Sequence, residues 1–309
     1  MDRNTVDWHG YIPAITTPFT REGALDATAF EGQMQWLAEQ GMHGVILAGT
    51  SGEWFSMTEA ERAELFALGG RFRADMRVIG GCNAFTAAEA IRHAHAAEEA
   101  GLDGILVTPP PYMVPTREEI VAFYQEISDG TTLPLTVYNW PRGCIVDLSP
   151  DLLGELADIE NVVAIKNSTG DFRAFLDAMY LVEDRVRYFG VPTNALGADL
   201  VSLGHGDGLM GSGAPLGRDH PGFWDALAAG DRARAIELGA RDRVVMTSWF
   251  GPDYGAQFGN QQAIMKTALR LQGVPAGFVR RPLLELSEEQ VDRVRATLEG
   301  LGITTVPLS

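Results

Sequence analysis

Gly101-Leu102-Asp103-Gly104-Ile105-Leu106 repeats the pattern of an earlier stretch, Gly41-Met42-His43-Gly44-Val45-Ile46. In each, one glycine ends a helix and a second opens an apolar strand. The same alternation runs outward in both directions. Apolar strands begin near residues 11, 44, 77, 104, 134, 162, 186 and 208. Between them lie helical stretches at 26–39, from 58, at 86–100, from 116, and at 149–157, 171–182 and 193–203. Thr58 with Glu61 and Thr116 with Glu119 have capping-box spacing, which fixes two of the helix starts.

Continuous apolar strands separated by helices imply parallel pairing with both sheet faces covered. Eight such units over about 220 residues predict a (β/α)8 TIM barrel. An open doubly wound sheet is the alternative. It wants a glycine-rich turn after the first strand, and Thr16-Thr17-Pro18-Phe19 has none. Residues 1–218 read as the barrel core. Residues 219–309 read as the last barrel helix and a C-terminal helical region, with helices clearest at 231–245, 260–271 and 287–298.

The 309 residues carry 24 Lys+Arg and 41 Asp+Glu, a formal net charge of -17. That balance argues against nucleic acid, where a basic patch must neutralise phosphates. It also disfavours an anionic membrane surface. No apolar run approaches the roughly 20 residues that span a bilayer. Residues 1–10 hold no apolar signal segment. Cys82 and Cys144 are too few for a disulfide framework. A cytoplasmic enzyme or binding protein is the expectation. Only two of the basic residues are lysine, Lys166 and Lys266, so lysine chemistry has two candidate positions.

In a barrel the chemistry sits at the C-terminal ends of the strands. Lys166 closes the apolar run Val162-Val163-Ala164-Ile165. Desolvation lowers a lysine's pKa, and the neutral amine can attack a carbonyl carbon to form an imine. The alternative is a strand-end lysine that snorkels or pairs with a carboxylate. Tyr138 ends the preceding strand, where its phenol can shuttle protons or simply pack. Gly49-Thr50-Ser51-Gly52 offers hydroxyls and closely spaced N–H groups that suit a carboxylate, or a tight turn alone. His93 and His95 point to different faces of a helix, so they share no metal. His205, Asp207 and His220 have no metal-ligand spacing. Lys266 reads as structural, mid-helix. Neither a metal nor an organic cofactor is expected.

Three motifs, in order and at strand ends, carry a resemblance: Gly49-Thr50-Ser51-Gly52-Glu53, Tyr138-Asn139-Trp140-Pro141 and Lys166-Asn167-Ser168-Thr169-Gly170-Asp171. The sequence resembles the family of dihydrodipicolinate synthase and N-acetylneuraminate lyase, Schiff-base-forming class I aldolases, from residue 10 to 301. The resemblance implies a homotetramer and an imine between Lys166 and pyruvate or another 2-oxo acid. It casts Tyr138 as general acid/base, with Thr50 and Ser51 binding the carboxylate and helping to relay protons. Tyr112 matches a tyrosine given to the neighbouring subunit's proton relay, and the carbonyl of Gly190 matches one that faces substrate. Dihydrodipicolinate synthases typically carry an arginine where this chain has Gly143. Arg142 stands one residue early and is the remaining candidate for that carboxylate contact. The departure favours an aldolase or dehydratase of a small 2-oxo acid over the synthase of lysine biosynthesis. A non-catalytic 2-oxo-acid-binding protein is the alternative from another class.

Overall fold

Uninterrupted apolar runs become strands, and the capped stretches between them become helices. The computed structural model describes residues 1–308. Its strands are β1 (Gly10–Tyr11), β2 (Gly44–Leu47), β3 (Arg77–Gly81), β4 (Gly104–Val107), β5 (Leu135–Asn139), β6 (Val162–Asn167), β7 (Arg187–Phe189) and β8 (Gly208–Leu209). They are parallel and lie in the order β1-β8-β7-β6-β5-β4-β3-β2. Ala14 bridges in parallel to Ile46 and to Ser212, which joins the two ends of the sheet. The expected barrel therefore forms, nearly closed. Its first strand is shorter than the apolar run Tyr11-Ile12-Pro13-Ala14-Ile15. Pro13 has no N–H for the ladder, although Ile12 N–H donates to Leu209 O and Pro13 O accepts from Ile46 N–H.

The helices are α1 (Ala27–Glu39), α2 (Glu59–Gly70), α3 (Ala87–Glu99), α4 (Arg117–Asp129), α5 (Pro141–Cys144), α6 (Pro150–Leu156), α7 (Phe172–Val182), α8 (Ala195–Ser202), α9 (Asp219–Ala228), α10 (Arg232–Trp249), α11 (Gln261–Arg270) and α12 (Glu288–Gly300). Both capping boxes form at Thr58 and Thr116, and a third forms at Ser287 with Gln290. The short α5 was not anticipated. Pro141 opens it with a preset φ. No helix among the described residues is long and apolar enough to cross a membrane.

The period-two alternation of a strand divides the core. Val45, Leu47, Val78, Ile105, Val137 and Ile165 face the helices in an outer cluster. Ile46, Ile79, Leu106, Tyr138 and Ala164 fill the barrel, with Trp8 at the N-terminal end of the strands. Gly104 is required there, because a Cβ would lie 2.5 Å from the Trp8 ring. The same parity turns Lys166 inward, two residues beyond Ala164. A third cluster, including Trp249, Phe258, Ile264, Val294 and Leu298, joins α10, α11 and α12 at the C-terminal end of the chain.

Candidate active site

Strands β5 and β6 run in register so that Tyr138 stands opposite Lys166. The Lys166 Nζ lies 4.1 Å from the centre of the Tyr138 ring. Lys166 is buried and has no carboxylate partner among the described residues. Burial alone pushes its amine down to about 7. A large part of the amine is therefore neutral and nucleophilic at physiological pH. Burial raises the Tyr138 phenol well above its ordinary value, against the opposing pull of hydrogen bonds with Ser168 and Thr50. The phenol stays protonated at neutral pH, a donor able to exchange its proton with its hydroxyl neighbours.

Thr50 and Ser51 sit in the turn after β2. Gly52 N–H donates to Gly49 O at 3.0 Å and Glu53 N–H to Thr50 O at 3.2 Å. Those bonds leave the N–H groups of Thr50 and Ser51 without a partner among the described residues. Two free N–H groups beside two hydroxyls suit one carboxylate. Gly52 keeps the turn close-packed, since a Cβ would come within 3.1 Å of Ala48 and of Ile15 O.

The C-terminal helices hold this turn in place. Gln262 Nε2 donates to Thr50 O at 3.0 Å. Gln261 Nε2 reaches Ser212 Oγ at 2.5 Å, and Ser212 Oγ lies 2.8 Å from Ser51 Oγ. Glu53, the last residue of the motif, is fully buried. Its carboxylate accepts from Lys266 Nζ at 2.5 Å and from Arg280 N–H at 2.9 Å. Glu53 thus anchors the turn and does not line the cavity that holds Lys166.

A polar layer braces the ends of β5 and β6. Asn139 Nδ2 donates to Asp147 Oδ1 at 2.7 Å and to Asn167 Oδ1 at 3.0 Å. Asn167 Nδ2 donates to the Tyr188 hydroxyl at 2.7 Å. Asp171 caps α7 through the N–H groups of Arg173 and Ala174. Within the third motif, Lys166 is the catalytic candidate, and Asn167 and Asp171 are supports.

Lys166, Tyr138, Thr50, Ser51 and Gly190 all line one cavity of about 330 Å³. Gly190 has φ 130°, and a Cβ there would lie 2.3 Å from Asn167 O, so only glycine fits. Ser168 also lines the cavity. Its role beside Tyr138 was missed in the sequence, although it lies two residues beyond Lys166. The two remaining candidates lie outside the lining. Arg142 projects from α5 to Asp253, with Nη1 2.5 Å from Oδ2. Tyr112 is 88% exposed on the β4–α4 loop, with left-handed φ 76°. Glu59, Glu89 and His93 bring ligand atoms within 4.8 Å of one another. Arg92 already engages Glu59 through two nitrogens, and none of the three lines the cavity.

Comparison with known proteins accords with this geometry. A family model described as the dihydrodipicolinate synthetase family matches residues 7–301. A protein of Rhizobium meliloti named "Uncharacterized DapA-like lyase" is 28% identical over 97% of this chain and 98% of its own. A 4-hydroxy-tetrahydrodipicolinate synthase of Acidothermus cellulolyticus is 32% identical over 95% of this chain and 92% of its own. The crystal structure of a chloride-inhibited dihydrodipicolinate synthase from Acinetobacter baumannii, complexed with pyruvate, superposes with a TM-score of 0.84. It is 28% identical and covers 96% of this chain and 99% of its own.

Proposed function

Because the chain belongs to the dihydrodipicolinate synthetase family, we propose that it is a lyase in which Lys166 forms an imine with pyruvate or another small 2-oxo acid. The observation that carries this reading is the placement of Lys166: buried, without an anionic partner among the described residues, and opposite Tyr138. Thr50 and Ser51 hold the substrate carboxylate, which aims the ketone carbon at Nζ. The Nζ lone pair forms the C–N bond, and a proton passes from the resulting ammonium to the carbonyl oxygen, which becomes a hydroxyl. Tyr138 protonates that hydroxyl and water leaves. The resulting iminium draws electrons from the next carbon, whose proton passes to the Tyr138 phenolate to give an enamine and restore the phenol. The enamine adds to an aldehyde, or expels a hydroxyl group from the neighbouring carbon.

An aldolase or dehydratase fits the cavity better than the synthase of lysine biosynthesis. At Gly143, any Cβ would lie 2.4 Å from the Trp140 ring. An arginine there would have to displace Trp140, which lines the cavity and stacks on Tyr138 at 6.0 Å. Arg142 can replace it only by leaving Asp253. The named relatives favour the synthase as the second reading. An assay with pyruvate and aspartate semialdehyde separates the two, and rapid turnover there would overturn the preference. A purely binding role has no need of the phenol beside Lys166.

The direct test is to incubate the protein with pyruvate, reduce with borohydride and locate the mass adduct. Lys166 should carry it. The initial rate should rise about tenfold per pH unit below about pH 7 and level off above, following the neutral amine. An adduct on Lys266 instead, or none, rejects the mechanism.

Tyr112 acts, in this reading, in a neighbouring subunit of a homotetramer. Its loop tip exposes Tyr112, Met113 and Val114 together, an apolar group suited to burial between subunits. Tyr112→Phe is expected to lower kcat by about 10- to 100-fold with little change in KM. An unchanged kcat would remove Tyr112 from the relay. Both cysteines are buried and free, which suits a cytoplasmic setting.

A further inference from the structure

The cavity that holds Lys166 is far larger than a three-carbon acid fills, being in the size range of pockets for much bigger ligands. Beyond Tyr138 it runs to α10 and the segment after it, where Met246, Phe250 and Tyr254 form an apolar wall. One cationic side chain of that wall has no partner. Arg243 lines the cavity, is exposed, and makes no ion pair or side-chain hydrogen bond among the described residues. The chain's habit is otherwise. Arg241, two residues earlier, is paired with Asp219, and Arg232 and Arg234 are paired with Asp199 and Glu237. The neighbouring acid does not neutralise Arg243 either. Asp242 is turned to Thr193, which donates to Oδ2 at 2.5 Å, and its Oδ1 lies 3.7 Å from His220. Arg142, the guanidinium of α5, is held by Asp253.

We infer that Arg243 is a specificity residue: it binds an anionic group, a carboxylate in the first instance, at the end of the substrate remote from Lys166. The favoured substrate then has a 2-oxo acid head on Lys166, an apolar middle along Met246 and Phe250, and a terminal carboxylate on Arg243. On a surface of net charge -17, a local guanidinium is what allows a second negative charge to enter. The inference rests on the imine-forming role of Lys166.

The test uses that imine as its readout and needs no turnover. Borohydride trapping at Lys166 is titrated with 2-oxo diacids of six, seven and eight carbons, each against the straight-chain 2-oxo monoacid of equal length. Pyruvate is run alongside on the wild-type protein. At one chain length or more, the diacid should reach half-maximal trapping at roughly 10- to 100-fold lower concentration than its monoacid. Arg243→Met should bring that ratio close to one, and Arg243→Lys should restore part of it. Three results overturn the inference while leaving the role of Lys166 intact. They are pyruvate trapped but no longer acid trapped, no diacid preference at any length, or a preference unchanged in Arg243→Met. Failure of pyruvate itself to trap on Lys166 rejects the underlying mechanism, and this inference falls with it.

Discussion

Lys166→Met is expected to abolish turnover and to make the protein more stable. The first half follows from covalent catalysis. Without the amine no imine forms, no electron sink replaces it, and the rate should fall by at least about 10⁴-fold. The second half follows from the environment of the side chain. Lys166 makes no salt bridge to lose, and burial holds its amine at about 7 against an ordinary 10.5. A base with a depressed pKa binds fewer protons folded than unfolded between those two values. Stability therefore rises with pH across roughly pH 7 to 10.5, and the full penalty is present below pH 7. That penalty is on the order of 4 to 5 kcal/mol. Methionine has similar length and no charge, so it recovers most of it, less the contact of the ammonium with the Tyr138 ring. A net gain of about 2 to 4 kcal/mol should appear in urea denaturation near pH 6 and shrink toward zero near pH 10. A variant less stable than wild type near pH 6 would show that the ammonium is not strained in the fold. A variant keeping about a hundredth of the activity would show that Lys166 is not the nucleophile.

The same residue shows how much of the site the sequence discloses. Lys166 and Tyr138 were legible because each ends an apolar strand, and a period of two plus parallel register brings strand-end residues face to face. Thr50 and Ser51 were legible for the same reason, as the residues between two glycines at a strand end. What was not legible came from elements distant in sequence. Ser168 is set beside the phenol by its N–H bond to Asn139 O on β5, at 3.0 Å. Gln261 and Gln262 grip the Thr50–Ser51 turn across some two hundred residues, and no local pattern announces that. Arg142 is the opposite case. Its place in the sequence suggested substrate, and the 251–256 segment supplies Asp253 to hold it elsewhere. The apolar run Tyr11–Ile15 outlasts the β1 ladder, because Pro13 brings no N–H to it.

The second lysine should behave in the reverse sense, and Lys266→Met is expected to destabilise the protein severely. Lys266 is as deeply buried as Lys166, at 1% exposure, and burial again draws its amine down, to about 8. What differs is the partner. Nζ lies 2.5 Å from Glu53 Oε1 and 2.6 Å from Phe278 O, over the face of Phe19. Glu53 is itself fully buried, so removing Lys266 leaves a carboxylate in the interior with only the Arg280 N–H as donor. Breaking one side of a buried pair costs about 3 to 5 kcal/mol, enough to erase a large part of a domain's stability. The loss should also reach the site, because Glu53 ends the turn that presents Thr50 and Ser51. The 2-oxo acid should need a higher concentration to trap on Lys166 even where the variant is still folded. Pairing Lys266→Met with Glu53→Gln removes both charges and should return a substantial part of the lost stability. Urea denaturation of the two single variants and the double variant gives the coupling directly. Additive losses would mean that the pair does not act as a unit, and that the turn is held by the glutamines of α11 alone. With the opposite response of Lys166→Met, the cycle distinguishes two buried lysines by physics that their sequence contexts barely separate: one unpaired and facing the cavity, one paired with the glutamate that ends the Thr50–Ser51 turn.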